Sequence, residues 1–292
     1  MLTIHAGLPK TATTGAQHGL ATHADLLSGA GIDYVPILRD REGIAHHAIP
    51  SELLERGDTD GPNVRALVEY LRAANAPHKL ISSEAFTNLI AGPRRTILLK
   101  LTGEIAEFMP VRVVLVLRRV DDFLASMYLQ STKVGEVTES FDNYLAKRAN
   151  WSAGLFAGLR AIRQDAATCE LHIMKYRTGS LFLVRTMGQI VKQPDLFIDL
   201  EMKRRSSARL THKGHAVLLN LPDVETRIGE TLPRFPLIRA LEHRKLTFQD
   251  DGKLSSLLQR DKAEAIHRAA MDAAESAGDT YYGGFFGEDV IA

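Results

Sequence analysis

The sequence has little cysteine, no excess of charge of either sign and no long apolar run. Its single cysteine, Cys169, excludes an internal disulfide framework and a cysteine-based zinc site, and it favours a reducing, cytoplasmic compartment. The 36 Lys and Arg are balanced by 35 Asp and Glu, which argues against nucleic-acid binding. The apolar run at residues 113–117 is far shorter than the roughly 18–20 residues of a membrane span, and we expect no signal peptide and no membrane span.

What is present is the composition of an ordinary globular protein. The chain has 292 residues, of which 45% are hydrophobic and 24% charged. A chain of this length forms one large α/β domain or two small ones, and either buries a sizeable core. No repeat is visible, which argues against solenoids and propellers.

Segments typical of strands alternate with segments typical of helices. Strand-like runs occur at residues 2–6, 32–37, 79–82, 111–117 and 170–175, and helical spacing occurs at residues 13–27, 62–74, 96–108 and 121–132. This alternation predicts an α/β fold, a doubly wound parallel sheet with flanking helices. We expect one domain over residues 1–292, with the sheet core at about 1–200 and a mostly helical C-terminal part at about 201–292.

The most informative segment is the loop after the first strand, Gly7-Leu8-Pro9-Lys10-Thr11-Ala12-Thr13-Thr14. Ligands of open parallel sheets bind at the carboxyl ends of the strands, and backbone N–H groups ahead of a helix attract anions. The loop therefore predicts an anion site to which Lys10 adds a full positive charge. In the nucleotide-binding motif GxxxxGK[ST] the lysine would stand at position 13, three residues later, so the lysine geometry used with magnesium is lacking.

This loop resembles the 5′-phosphosulfate-binding motif of sulfotransferases, which use 3′-phosphoadenosine 5′-phosphosulfate (PAPS). The segment Pro9-Lys10-Thr11-Ala12-Thr13-Thr14 is similar to the family pattern Pro-Lys-(Ser/Thr)-Gly-Thr-Thr at every position but one. The exception is Ala12, where the family usually has glycine. If that position needs a positive φ, alanine costs on the order of 1 kcal/mol there. Gln17, one helical turn further along, resembles the glutamine that often follows this loop in the carbohydrate and bacterial branch of the family.

A second segment, residues 117–128, resembles the family's 3′-phosphate motif. It has Arg118 at the end of a buried strand and Ser126 eight residues later on the next helix. The resemblance implies that both bind the 3′-phosphate, the arginine in bidentate fashion, with Arg119 as the less favoured alternative to Arg118. Further along the chain, Arg205 lies where sulfotransferases often supply a basic loop over the same phosphate.

The general base should follow a neighbouring strand. Residues 79–84 end on Glu84, and this Ser-Ser-Glu sequence resembles the bacterial and carbohydrate sulfotransferase pattern, in which the base is a glutamate or a histidine. Glu84 is the leading candidate, and Ser82 is a further candidate cofactor contact. The alternative bases are His18, His23, His46 and His47.

Taken together, the resemblance implies a sulfotransferase of P-loop type. It would move a sulfuryl group from PAPS to a hydroxyl of a carbohydrate or small alcohol by in-line displacement, without a metal. Residues 9–14 would bind the 5′-phosphosulfate, with Lys10 stabilising the leaving oxygen and Glu84 deprotonating the acceptor. A nucleotide-dependent small-molecule kinase and a non-catalytic nucleotide-binding protein stay open as alternatives, as do the acceptor and the oligomeric state.

Overall fold

A computed structural model describes residues 1–165, 168–177 and 182–199, together with residue 226. Its strands are β1 (Leu2–His5), β2 (Ile32–Tyr34), β3 (His78–Ser82), β4 (Val111–Leu117) and β5 (Glu170–Lys175). Its helices are α1 (Thr13–Thr22), α2 (Ala24–Gly29), α3 (Ala48–Arg56), α4 (Pro62–Ala73), α5 (Phe86–Ala91), α6 (Arg95–Ala106), α7 (Val120–Val134), α8 (Phe141–Gln164) and α9 (Phe182–Ile190). The helical part predicted at residues 201–292, with Arg205, lies outside the described residues except for residue 226.

In the described part of the chain the strands form one parallel sheet in the order β2-β3-β1-β4-β5. The central strand β1 pairs with β3 and β4, which sets Leu2 beside Lys79 on one side and Val111 on the other. The predicted parallel α/β sheet with flanking helices is confirmed, and the strand order is consistent with a doubly wound fold.

The chain leaves β1 and β4 in opposite directions. After β1 it runs toward β2 at one edge of the sheet, and after β4 it runs to β5 at the other edge. Neighbouring strands with diverging connections open a crevice at their carboxyl ends, and ligands of doubly wound sheets bind there. The loop that carries Lys10 and the strand end that carries Arg118 both lie at this crevice.

One core cluster packs α1, α2 and α9 against β2, β3 and β4. It includes five fully buried residues, Leu20, Leu27, Val114, Met187 and Phe197. Every residue of β4 is buried, so both faces of this strand are covered. Within the described residues, no helix is both long enough and apolar enough to span a membrane.

The chain divides into two compact units. The first, Met1–Arg118 with Trp151–Arg204, contains the sheet. Of the second, residues 119–150 are described besides residue 226; they include α7 and the first part of α8. Here the ring of Tyr128 packs 4.9 Å from Phe141 and 5.3 Å from Tyr144, measured between ring centroids.

Some predicted elements differ in their bounds. The helix predicted at residues 13–27 is two helices, because His23 (φ −105°, ψ 31°) departs from helical geometry between them. The strand predicted at residues 32–37 ends at Tyr34, where a loop begins that is organised by Arg39, whose Nε donates to the Val35 carbonyl at 2.8 Å. Helices α3, α5, α8 and α9 were not predicted.

Candidate functional site

The loop after β1 contains two residues in the left-handed region, Lys10 (φ 65°) and Ala12 (φ 64°). Left-handed residues in a tight turn direct backbone N–H groups toward a common point, an arrangement that binds anions. Ala12 is also the N-cap of α1, and its methyl group cannot accept a hydrogen bond. The first N–H groups of the helix are therefore left for another acceptor.

The threonines of the loop divide into inward and outward residues. The hydroxyls of Thr11 and Thr13 both donate to the Leu8 carbonyl, at 2.6 and 3.0 Å, and both side chains are buried. Thr14 is exposed, as is Ala12. The Thr11 and Thr13 hydroxyls thus hold the shape of the loop, and the parts of these residues suited to an anion are their backbone N–H groups.

A buried histidine lies under the loop. His5, at the end of β1, is 1% exposed, and its Nδ1 lies 2.8 Å from the Ser82 hydroxyl. Its Nε2 is buried and has no hydrogen-bond partner in the described part of the chain. A Cβ at Gly7 would lie 2.8 Å from this atom and 2.9 Å from Thr13 Oγ1, so glycine is required by close packing. Burial lowers the pKa of His5 to about 4, which keeps the ring neutral.

His5 was not among the predicted site residues. The signal for it is a polar side chain at the end of an apolar strand, directly before the loop glycine. Ser82, a predicted cofactor contact, is fully buried, and its hydroxyl lies 2.8 Å from Nδ1 of His5.

Arg118 follows β4 and contacts the same loop. Its Nη1 donates to the Lys10 carbonyl at 3.3 Å, and its guanidinium carbon lies 5.3 Å from the centroid of the Tyr176 ring. The structure therefore brings together the two basic residues that the sequence assigns to one cofactor. Tyr176 was missed, although its position directly after β5 puts it at the same edge of the sheet.

The other predicted phosphate ligands belong to the second compact unit or fall outside the described residues. Arg119 donates two hydrogen bonds to the Asp121 carboxylate, at 3.1 and 2.8 Å, so its guanidinium is engaged within the second unit. Ser126 is half-buried on α7, also in the second unit. With Arg205 outside the described residues, the roles of Ser126 and Arg205 stay predictions from the sequence.

Glu84 lies just after β3 and is attached to the elements that carry the loop. Gln17 Nε2, on α1, donates to Glu84 Oε2 at 2.9 Å. The Thr87 hydroxyl, three residues after Glu84, donates to the Ala6 carbonyl at 2.6 Å. These bonds hold the Glu84 carboxylate, 28% exposed, beside α1 and the end of β1.

Among the candidate histidines, His47 is the one that accompanies Glu84. Its Nε2 lies 3.9 Å from Glu84 Oε1 and also 3.9 Å from Asp40 Oδ2. On the other side of the ring, Nδ1 lies 2.8 Å from the Ser83 hydroxyl. The leading candidate for the base, Glu84, and one of the four alternative histidines, His47, therefore lie side by side. Asp40 was not predicted.

The other histidines have structural positions. His46 is fully buried, with its Nδ1 accepting from the Ser82 N–H at 3.1 Å, and burial lowers its pKa to about 4. His18 lies 2.9 Å from the Thr22 hydroxyl near the surface of α1. His23 occupies the junction between α1 and α2.

Comparisons of this chain with known proteins found no relative. No protein-family model matches the chain, and neither curated proteins nor solved structures give a significant match. Within the described ranges, no three His, Cys, Asp or Glu side chains are grouped so as to hold a metal ion.

Proposed function

We propose that this chain is a sulfotransferase of P-loop type that transfers a sulfuryl group from PAPS to a hydroxyl of a carbohydrate or small alcohol. The observation that carries the proposal is the loop at residues 7–14. It has left-handed residues at Lys10 and Ala12, lies at the N-terminus of α1, and accepts a hydrogen bond from Arg118 at 3.3 Å.

The residues present fit a phosphosulfate group. The helix N-terminus offers backbone N–H groups, and Lys10 offers an ammonium group on a half-buried side chain. Gly7 keeps the loop close to β1, where a Cβ would collide with His5 and Thr13. The buried Nε2 of His5, which has no hydrogen-bond partner in the described residues, is the kind of group that a ligand or ordered water completes.

The roles of the residues follow from their chemistry. When bound, the donor supplies a sulfuryl group that the acceptor oxygen attacks as the bond to the bridging phosphate oxygen breaks. The Lys10 ammonium stabilises the negative charge that develops on that oxygen. Arg118, at the end of β4, binds the 3′-phosphate through its guanidinium. Glu84, held by Gln17, accepts the proton of the acceptor hydroxyl.

A transfer assay with labelled PAPS and a panel of sugars and small alcohols tests the proposal. We expect Glu84→Gln to lower turnover about 10²–10⁴-fold, the usual contribution of a general base, while binding of the desulfated cofactor is retained. We expect Lys10→Ala to abolish transfer, and Lys100→Ala, at an exposed lysine on α6, is the matched control.

The alternatives give different results in the same assay. Magnesium-dependent turnover of ATP with no use of PAPS would assign the chain to the kinases. Tight binding of the desulfated cofactor without transfer to any hydroxyl would make it a nucleotide-binding protein without catalysis. Either result contradicts the proposal.

A further inference from the structure

The partly exposed side chain of His47 has three polar neighbours. Its Nε2 lies 3.9 Å from one oxygen of Asp40 and 3.9 Å from one oxygen of Glu84, and its Nδ1 lies 2.8 Å from the Ser83 hydroxyl. Three side chains therefore contact the His47 ring. The His47 side chain is 39% exposed.

The loop that carries Asp40 and His47 is held by hydrogen bonds among its own residues. Asp40 accepts from the Ile44 N–H at 3.0 Å through its side chain, and its own N–H donates to the Ala45 carbonyl at 2.7 Å. Leu38 adopts φ 61°, a strained conformation for a branched side chain. Strain of this kind persists where the surrounding structure enforces it, commonly beside functional groups.

The Glu84 carboxylate presents one oxygen to this ring. Oε2 accepts from Gln17 at 2.9 Å, and Oε1 faces His47 Nε2. Among the described residues, the carboxylates within 4 Å of the His47 ring are those of Asp40 and Glu84. Arg39, on the same loop, packs over the ring of Tyr34, with its guanidinium carbon 4.4 Å from the centroid, and neighbouring His46 is buried.

We propose that His47 is a positioning residue for Glu84, an inference that rests on the sulfotransferase function above. Ser83 holds the His47 ring through Nδ1, and the ring stands beside Oε1 of Glu84, so it restricts the orientations open to the carboxylate. Gln17 holds the other oxygen, Oε2. His47 therefore acts on the reaction through the position of Glu84.

The first test separates kcat from KM in the transfer assay. In His47→Gln we expect kcat to fall about 3- to 10-fold while the KM for PAPS stays the same, because a misplaced base slows only the chemical step. Ser83→Ala, which removes only the Nδ1 partner, should lower kcat less. Affinity for 3′,5′-adenosine bisphosphate should stay unchanged in both. Lys100→Ala, at an exposed lysine on α6, is the control and should leave kcat unchanged.

A second test does not depend on activity. Carbodiimide coupling of an amine modifies carboxyl groups, and mass spectrometry of the peptide that contains Glu84 follows the extent of coupling at one fixed pH. We expect Glu84 to be modified faster in His47→Gln than in the wild type, because the carboxylate loses the ring that stands beside Oε1. If this difference occurs in a protein that neither binds nor uses the donor, the His47–Glu84 pair stands and the proposed function fails. Unchanged labelling and an unchanged kcat in an active enzyme would overturn the role of His47.

Discussion

Mild acid should destabilise the fold through His46. This side chain is fully buried, its Nδ1 accepts from the Ser82 N–H at 3.1 Å, and its Nε2 lies 2.8 Å from the Val35 carbonyl. The two bonds define one neutral tautomer, in which Nε2 carries the proton and donates. A second proton on Nδ1 would face the Ser82 N–H. Burial is the main cause that lowers the pKa of His46 from 6.5 to about 4.

The sign of the effect follows from the protons bound in each state. Between pH 6.5 and about pH 4 the unfolded chain binds a proton at His46 that the folded protein does not. The contribution is therefore complete above pH 6.5 and is lost as the pH falls, at about 1.4 kcal/mol of unfolding free energy per pH unit. By pH 4 the loss from this group reaches about 3 kcal/mol. Burial also lowers the pKa values of His5 and His78 to about 4, so they add to the loss.

Urea unfolding followed by circular dichroism, from about pH 7 to pH 5, measures this dependence. His46→Gln is the decisive variant because a glutamine can accept from the Ser82 N–H and donate to the Val35 carbonyl without titrating. We expect its unfolding free energy to depend less on pH than that of the wild type, by about 1 kcal/mol per pH unit averaged over this range. Ser28→Ala, at an exposed residue of α2 without a titrating group, is the control and should keep the wild-type slope. A wild-type slope in His46→Gln would refute the reasoning.

Three further perturbations have defined outcomes. Arg118→Ala should weaken the binding of 3′,5′-adenosine bisphosphate by about 1.5–3 kcal/mol in calorimetry, whereas Arg119→Ala should not. Equal effects of the two substitutions would contradict the proposal that Arg118 binds the 3′-phosphate. Ala12→Gly should raise the unfolding free energy by about 0.5–1 kcal/mol, because the residue has φ 64°, and a loss of stability in urea unfolding would disprove the strain. Glu52→Ala should lower the unfolding free energy by about 1–2 kcal/mol in the same assay, because the buried carboxylate accepts hydrogen bonds from two backbone N–H groups at the start of α4, at 3.0 and 3.1 Å. Glu55→Ala, at an exposed residue, is the control, and an equal loss in both variants would contradict the capping role of Glu52.

The strands were predictable because each is a short run of apolar or β-branched residues followed by a turn. Their order in the sheet was not, since it is set by long-range pairing that no local pattern encodes. The proximity of Lys10 to Arg118 depends on that order, because it exists only where β4 lies beside β1. The sequence motifs predicted both residues, and the pairing of β4 with β1 places them next to each other.

The parts of the site that the sequence did not predict come from tertiary packing. Asp40 and His47 lie on a loop whose path depends on hydrogen bonds among its own backbone groups and on Arg39. Nothing in the sequence spacing indicates that His47 lies close to both Asp40 and Glu84. The inward direction of Thr11 and Thr13 likewise depends on the Leu8 carbonyl, which only the folded loop supplies.

The most direct measurement is a calorimetric titration of the wild-type protein with 3′,5′-adenosine bisphosphate, compared with ADP and with ATP plus magnesium. The proposed function requires that the protein recognise the 3′-phosphate, so we predict binding of the bisphosphate in the micromolar range, about −8 kcal/mol, and at least about tenfold weaker binding of ADP. A preference for ATP with magnesium would contradict the sulfotransferase account.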